Sequence, residues 1–157
     1  MLTIIALVIL FFLIRILIKM DYKITQKEVK IQQYMQLYEL MLRWYKNEKK
    51  GLRIENYFKS EGVEQIAIYG KGEIGELFYQ EIKNSEQIKS LCWIDKFLET
   101  NTNTKISVFN ISDVEKYKGV DMIVVTPVHL YDEIELELHK YGVVAEIVSL
   151  EDIIYSI

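Results

Sequence analysis

The sequence predicts an α/β fold, a compact parallel sheet of about five strands, preceded by a transmembrane helix and a helical linker. Three observations predict it. From residue 65 onward, short β-branched runs alternate with helical patterns, which implies a parallel sheet covered on both faces. Between the first strand and the first helix, "AIYGKGEIGELF" (67–78) carries glycines at 70, 72 and 75 in G-x-G-x-x-G spacing, the mark of a Rossmann-type turn. Before the sheet, residues 2–18, "LTIIALVILFFLIRILI", are apolar except for Arg15 and the small polar Thr3.

Taken in order, residues 2–18 would span roughly 26 Å as a helix at about 1.5 Å per residue, near the lower limit for a bilayer. Arg15 lies near the end of the run, where its side chain reaches the headgroups. A signal peptide or a buried core helix are the alternatives. A signal peptide opens with a basic region and ends at a small-residue cleavage site. Here no positive charge precedes the run and large residues follow it, so the sequence favours an uncleaved anchor over residues 1–20. Arg15, Lys19, Lys23, Lys27 and Lys30 cluster after it. By the positive-inside rule the protein is then a single-pass protein of the cell membrane with its body on the cytoplasmic side.

The linker occupies 21–62. Residues 24–46 hold no Pro or Gly, and Ile31, Tyr34, Met35, Tyr38, Met41, Leu42 and Tyr45 recur at helical spacing. Lysines and Gly51 end this helix, and a short one near Ile54–Lys59 stops at Gly62. The stripe would pair with a second copy as a homodimer or pack on the distal domain. The bulk of Trp44 and the tyrosines favours packing.

The Rossmann-like domain occupies 63–157. "QIAIY" reads as a buried strand and "GEIGELFYQEIKN" as an amphipathic helix. "IKSLCWI" and "ISVF" are the next strands, with a helical turn near Ser112–Tyr117. "DMIVVT" is a fully buried strand, Leu130–Tyr141 a helix, and "VAEIVSL" the last strand. The connection "DKFLETNTNTK" (95–105) is polar and too short for a full crossover helix.

Charge divides the chain. Residues 1–60 carry 11 Lys/Arg against 5 Asp/Glu, and residues 61–157 carry 8 against 18. The basic half suits an anionic leaflet, whereas the acidic half repels phosphates and excludes nucleic acid as a partner. One cysteine, Cys92, excludes an intramolecular disulfide and fits a reducing compartment.

In the glycine motif, Gly70 permits the tight turn, Gly72 lets a pyrophosphate approach the backbone, and Gly75 lets the helix press on the sheet. The free N–H groups of the first helical turn, Glu73, Ile74 and Gly75, favour an anion. Glu73 and Glu76 suit the dipole but repel phosphate, and Lys71 offsets them. Asp95 follows Gly75 by 20 residues at the end of the next strand, where an acid accepts ribose hydroxyls; capping the polar loop is its other reading. Thr126, Pro127 and His129 belong to the same carboxyl edge. A lone loop histidine is most often simply solvated, and His139 reads as a surface residue. The pairs Tyr45/Lys49 and Tyr79/Lys83 lie away from where a dehydrogenase needs them. No metal-ligand spacing, G-x-S-x-G elbow or P-loop lysine occurs, so the sequence displays no catalytic constellation and leaves open whether the protein is an enzyme.

The runs "IAIYGKGEIGELFYQEI", "CWIDK" and "ISVFNISDVEKYKGVDMIVVTP" resemble the small Rossmann-type, CoA-/nucleotide-binding-like domains of bacterial surface-polysaccharide biosynthesis proteins. These include the domain after the membrane helices of membrane-bound sugar-nucleotide dehydratases and polyprenyl-phosphate sugar-phosphate transferases. The resemblance covers about residues 63–152. It implies a membrane-tethered module that binds a nucleotide, NAD(P) or a nucleotide-sugar beside glycan-assembly enzymes of capsule type. No catalytic domain follows and one membrane helix precedes, so binding is the first expectation. A small enzyme completed by oligomerisation or a partner, and a scaffold with a vestigial pocket, are the alternatives.

Overall fold

The computed structural model describes residues 2–96 and 106–157, with side chains from Leu10 onward. The chain forms two compact units, residues 1–39 and 40–157.

The first unit consists of the greater part of α1 (Leu2–Lys49). The two helices expected at 2–18 and 24–46 are one continuous helix, because neither Pro nor Gly interrupts the chain before Gly51. Among the described residues no helix is long and apolar enough to cross a membrane. The expected anchor rests partly on residues 2–9, whose side chains lie outside those described. From Leu10 to Ile18 every apolar side chain is exposed.

In the second unit, α2 (Ile54–Glu61) leads to β1 (Gln65–Tyr69), α3 (Glu73–Ile82) and β2 (Ser90–Asp95). Then come β3 (Val108–Asn110), α4 (Val114–Tyr117) and β4 (Met122–Val125). A 3-10 turn (Val128–Leu130), α5 (Tyr131–Lys140), β5 (Glu146–Ser149) and α6 (Leu150–Ser156) complete it. The five strands form one parallel sheet in the order β3-β2-β1-β4-β5. This mixed α/β architecture is compatible with a Rossmann-like arrangement. The polar connection expected over 95–105 lies outside the described residues beyond Lys96.

Strand alternation sends each sheet residue to one of two covered faces. Ala67, Tyr69, Cys92, Ile94, Ile123 and Val125 pack with Tyr117 of α4 and with Ile134 and Leu138 of α5. Ile66, Ile68, Trp93, Met122 and Val124 alternate with them and are equally buried. α3 covers that second face: Phe78 meets Phe58 of α2 edge-on at 6.2 Å, and Tyr79 leans on Trp93 at 5.9 Å. α6 packs beside α2. Burying each such large side chain contributes roughly 1.5–3 kcal/mol, so the two faces supply most of the driving force.

The end of α1 joins this unit through Leu40, Trp44 and Asn47, a face at i, i+4 and i+7. Trp44 donates its indole N–H to Glu81, and Asn47 donates to the carbonyl of Ile154 at 2.7 Å. Of the aromatic stripe, the residues that lie in this unit are Met41, which is half-buried, Leu42 and Tyr45. Leu42 and Tyr45 are exposed, because the helix turns the Leu40–Trp44–Asn47 face inward instead. α6 was not expected: a helix follows β5 without a break, capped by the hydroxyl of Ser149, which accepts from Glu151 N–H.

Candidate functional site

Strand order reverses between β1 and β4, since β1 continues to β2 on one side and β4 to β5 on the other. In such sheets the crevice outside the carboxyl ends at this point is the natural ligand position. Gly70, Lys71 and Gly72 leave β1 there, and Thr126 and Pro127 leave β4.

Each turn residue has a local cause. Gly70 adopts φ +94, and a Cβ on it would sit 2.8 Å from the Pro127 ring. Its N–H continues the sheet by donating to Ile94 O at 3.0 Å. Thr126 is buried and holds the two loops together: its hydroxyl lies 3.0 Å from both Tyr69 O and Gly70 O, and its N–H donates to Tyr69 O. Pro127, at φ −74 and ψ 71, forms an inverse γ-turn, closed by Val128 N–H on Thr126 O at 2.9 Å. Gly75 is buried against the turn, and a Cβ there would lie 2.2 Å from Gly70 O, 3.0 Å from the Trp93 ring and 3.1 Å from the Thr126 hydroxyl.

Gly72 is different. It has extended backbone at φ −96 and ψ −173, which any residue adopts, and a Cβ on it would meet nothing within 4 Å. No packing or dihedral reason requires glycine. It is the N-cap of α3, and no side chain caps that helix. The first-turn N–H groups of Glu73, Ile74 and Gly75 therefore have no acceptor within the helix.

Asp95 comes to the same edge and accepts from Lys71 N–H at 3.0 Å through Oδ2. The acid is thus tied to the glycine turn, whereas its other reading, as a cap of the polar loop, falls on residues outside those described. A carboxylate accepts several hydrogen bonds, so this one does not exclude a ligand hydroxyl. Glu73 is exposed, Lys71 and Ile74 are half-buried, and His129 is exposed on the 3-10 turn. The structure therefore joins Gly70, Lys71, Gly75, Asp95, Thr126 and Pro127 through direct contacts, and gives His129 none of them.

Residues absent from the sequence-based set also stand here. Lys96 pairs with Glu137 of α5 at 2.8 Å, directly after Asp95. Tyr69, the residue before Gly70, is buried; burial, then Glu137, Asp95 and Tyr141, pushes its pKa up to about 12. Its position at the strand end was a usable signal, whereas Glu137 reaches the edge only through the α5 crossover. The two Tyr/Lys pairs are elsewhere: Lys49 lies over the Tyr45 ring at 5.2 Å, and Lys83 bonds Gln80. Among the described residues no group of His, Cys, Asp and Glu is arranged to hold a metal ion.

The chain matches no protein-family model. No curated protein matches it significantly.

Proposed function

We propose that this protein is a membrane-anchored Rossmann-like module that binds a nucleotide or nucleotide-linked metabolite at the β1/β4 edge, accessory to bacterial surface-glycan assembly. The observation that carries the reading is Gly72. Gly70 and Gly75 are required by the fold, whereas Gly72 faces open space beside uncapped helix N–H groups. A glycine without a structural need, at a position where a pyrophosphate would touch the backbone, fits a ligand-facing role. Lys71 supplies the positive charge, and Asp95 the acceptor for a ribose or sugar hydroxyl. The exposed apolar side chains from Leu10 to Ile18 support the anchor, with the sheet unit cytoplasmic by the lysines that follow.

One observation favours the scaffold reading. Asp95 already serves the turn by accepting from Lys71 N–H, so the motif has a structural use without a ligand.

The test is the melting temperature of the full chain against NAD, NADP, SAM, CoA and UDP-, CDP- and GDP-linked sugars. A ligand at about a hundredfold its Kd adds roughly 2.7 kcal/mol, a shift of several degrees. The expected result is a shift that Gly72→Val removes without lowering the unliganded melting temperature. No shift with any of them would leave the scaffold reading standing.

A further inference from the structure

Ile24, Ile31 and Tyr38 stand at seven-residue intervals on α1, with Tyr34 and Met35 between the last two. All five are exposed, by 52% to 71%. A seven-residue apolar repeat is the pattern that keeps one helix face turned toward a partner helix along its length. At 48 residues α1 is several times longer than a typical helix, and in proteins most helical stability comes from packing of an apolar face.

The charges beside this stripe identify the partner. With Ile24, Ile31 and Tyr38 at heptad position a, Lys23 and Lys30 fall at g, and Asp21 and Glu28 fall at e. One edge of the stripe is basic and the other acidic. We infer that residues 24–38 are a seam through which a second copy of this chain associates, side by side and parallel. Parallel pairing sets the g edge of each copy against the e edge of the other, so Lys23 meets Glu28 twice about the two-fold axis. Antiparallel pairing sets g on g and e on e, which is lysine on lysine and acid on acid. An anionic lipid surface attracts only the basic edge and meets Asp21 and Glu28 on the other. Lys27, at a d position, lays its methylenes along the seam and carries its ammonium out to water.

The test is disulfide cross-linking of the full chain with single cysteines at Ile24→Cys, Ile31→Cys and Tyr38→Cys, against Gln26→Cys and Gln33→Cys on the opposite side. Native Cys92 stays silent, because it is buried in the sheet core and its thiol pKa is pushed up to about 11 by burial. Each stripe position should give a two-chain product, at least about tenfold more than Gln26→Cys or Gln33→Cys. Light scattering should show two chains for the wild type and one for Tyr38→Glu, and Lys23→Glu should weaken association that Glu28→Lys then restores. All these positions are exposed except Gln33, which is half-buried and takes a smaller side chain in Gln33→Cys, so the variants fold. Cross-linking at Ile31→Cys alone would overturn the parallel sense, and equal cross-linking on both sides would overturn the seam. A single-chain mass whose binding to anionic vesicles is lost in Tyr38→Glu would assign the stripe to lipid and overturn the proposal.

Discussion

Replacing Gly75 by alanine tests whether the glycine motif is built as described. The added Cβ would lie 2.2 Å from Gly70 O, whereas real Cβ contacts stay beyond 3.0 Å, so α3 must retreat by about 0.8 Å from the turn. The obstacle is backbone, and the Trp93 ring and Thr126 hydroxyl close the other directions at 3.0 and 3.1 Å. Overpacking of this kind costs about 1–3 kcal/mol or more, and an immovable carbonyl places it at the upper end. Alanine returns up to about 1 kcal/mol of helix propensity. The net loss is about 2 kcal/mol, which at an m-value of about 1–2 kcal/mol/M lowers the urea midpoint by about 1–2 M. Gly72→Ala is the internal comparison. Its Cβ enters open space on extended backbone, and the poorer N-cap is offset by a stiffer unfolded chain, so stability stays within about 0.5 kcal/mol. Urea unfolding of both variants settles it. A wild-type midpoint for Gly75→Ala, or an equal loss for Gly72→Ala, would refute the division of roles within the motif.

Asn47→Ala removes the buried donor to Ile154 O and should lower stability by about 1–3 kcal/mol, with the exposed Asn56→Ala within about 0.5 kcal/mol of wild type in the same urea titration. Burial raises the Tyr69, Tyr117 and Tyr131 hydroxyls from 10.0 to about 12. Because the folded pKa values exceed the unfolded ones, their contribution is complete below about pH 10 and is lost as pH rises toward about 12. Urea midpoints should therefore fall across that window, less steeply in Tyr117→Phe, and a flat profile would contradict the burial of these rings.

The sheet was legible in the sequence because its strands are short runs of β-branched residues separated by helical periodicity. The glycine spacing placed the turn, and Thr126 and Pro127 followed from the carboxyl-edge rule. What escaped had weak or non-local signals. α6 starts where β5 ends, with Ser149 serving both as strand residue and as N-cap, so no turn residue marks the change. The inward face of α1 is Leu40, Trp44 and Asn47, whose partners Glu81 and Ile154 are distant in sequence. Periodicity drew attention to the more conspicuous tyrosine stripe beside it. Asp95 was recognised by its spacing, but its bond to Lys71 N–H depends on the pairing of β1 with β2, which spacing alone does not orient.

The Asn47–Ile154 hydrogen bond joins residues 107 positions apart. On a ribosome adding about 5–20 residues per second, Asn47 is polymerised roughly 5–20 s before its acceptor. Trp44 needs only Glu81, 37 residues on, so the helix end can dock on α3 first, and the Asn47 amide waits for the last helix of the chain to close it.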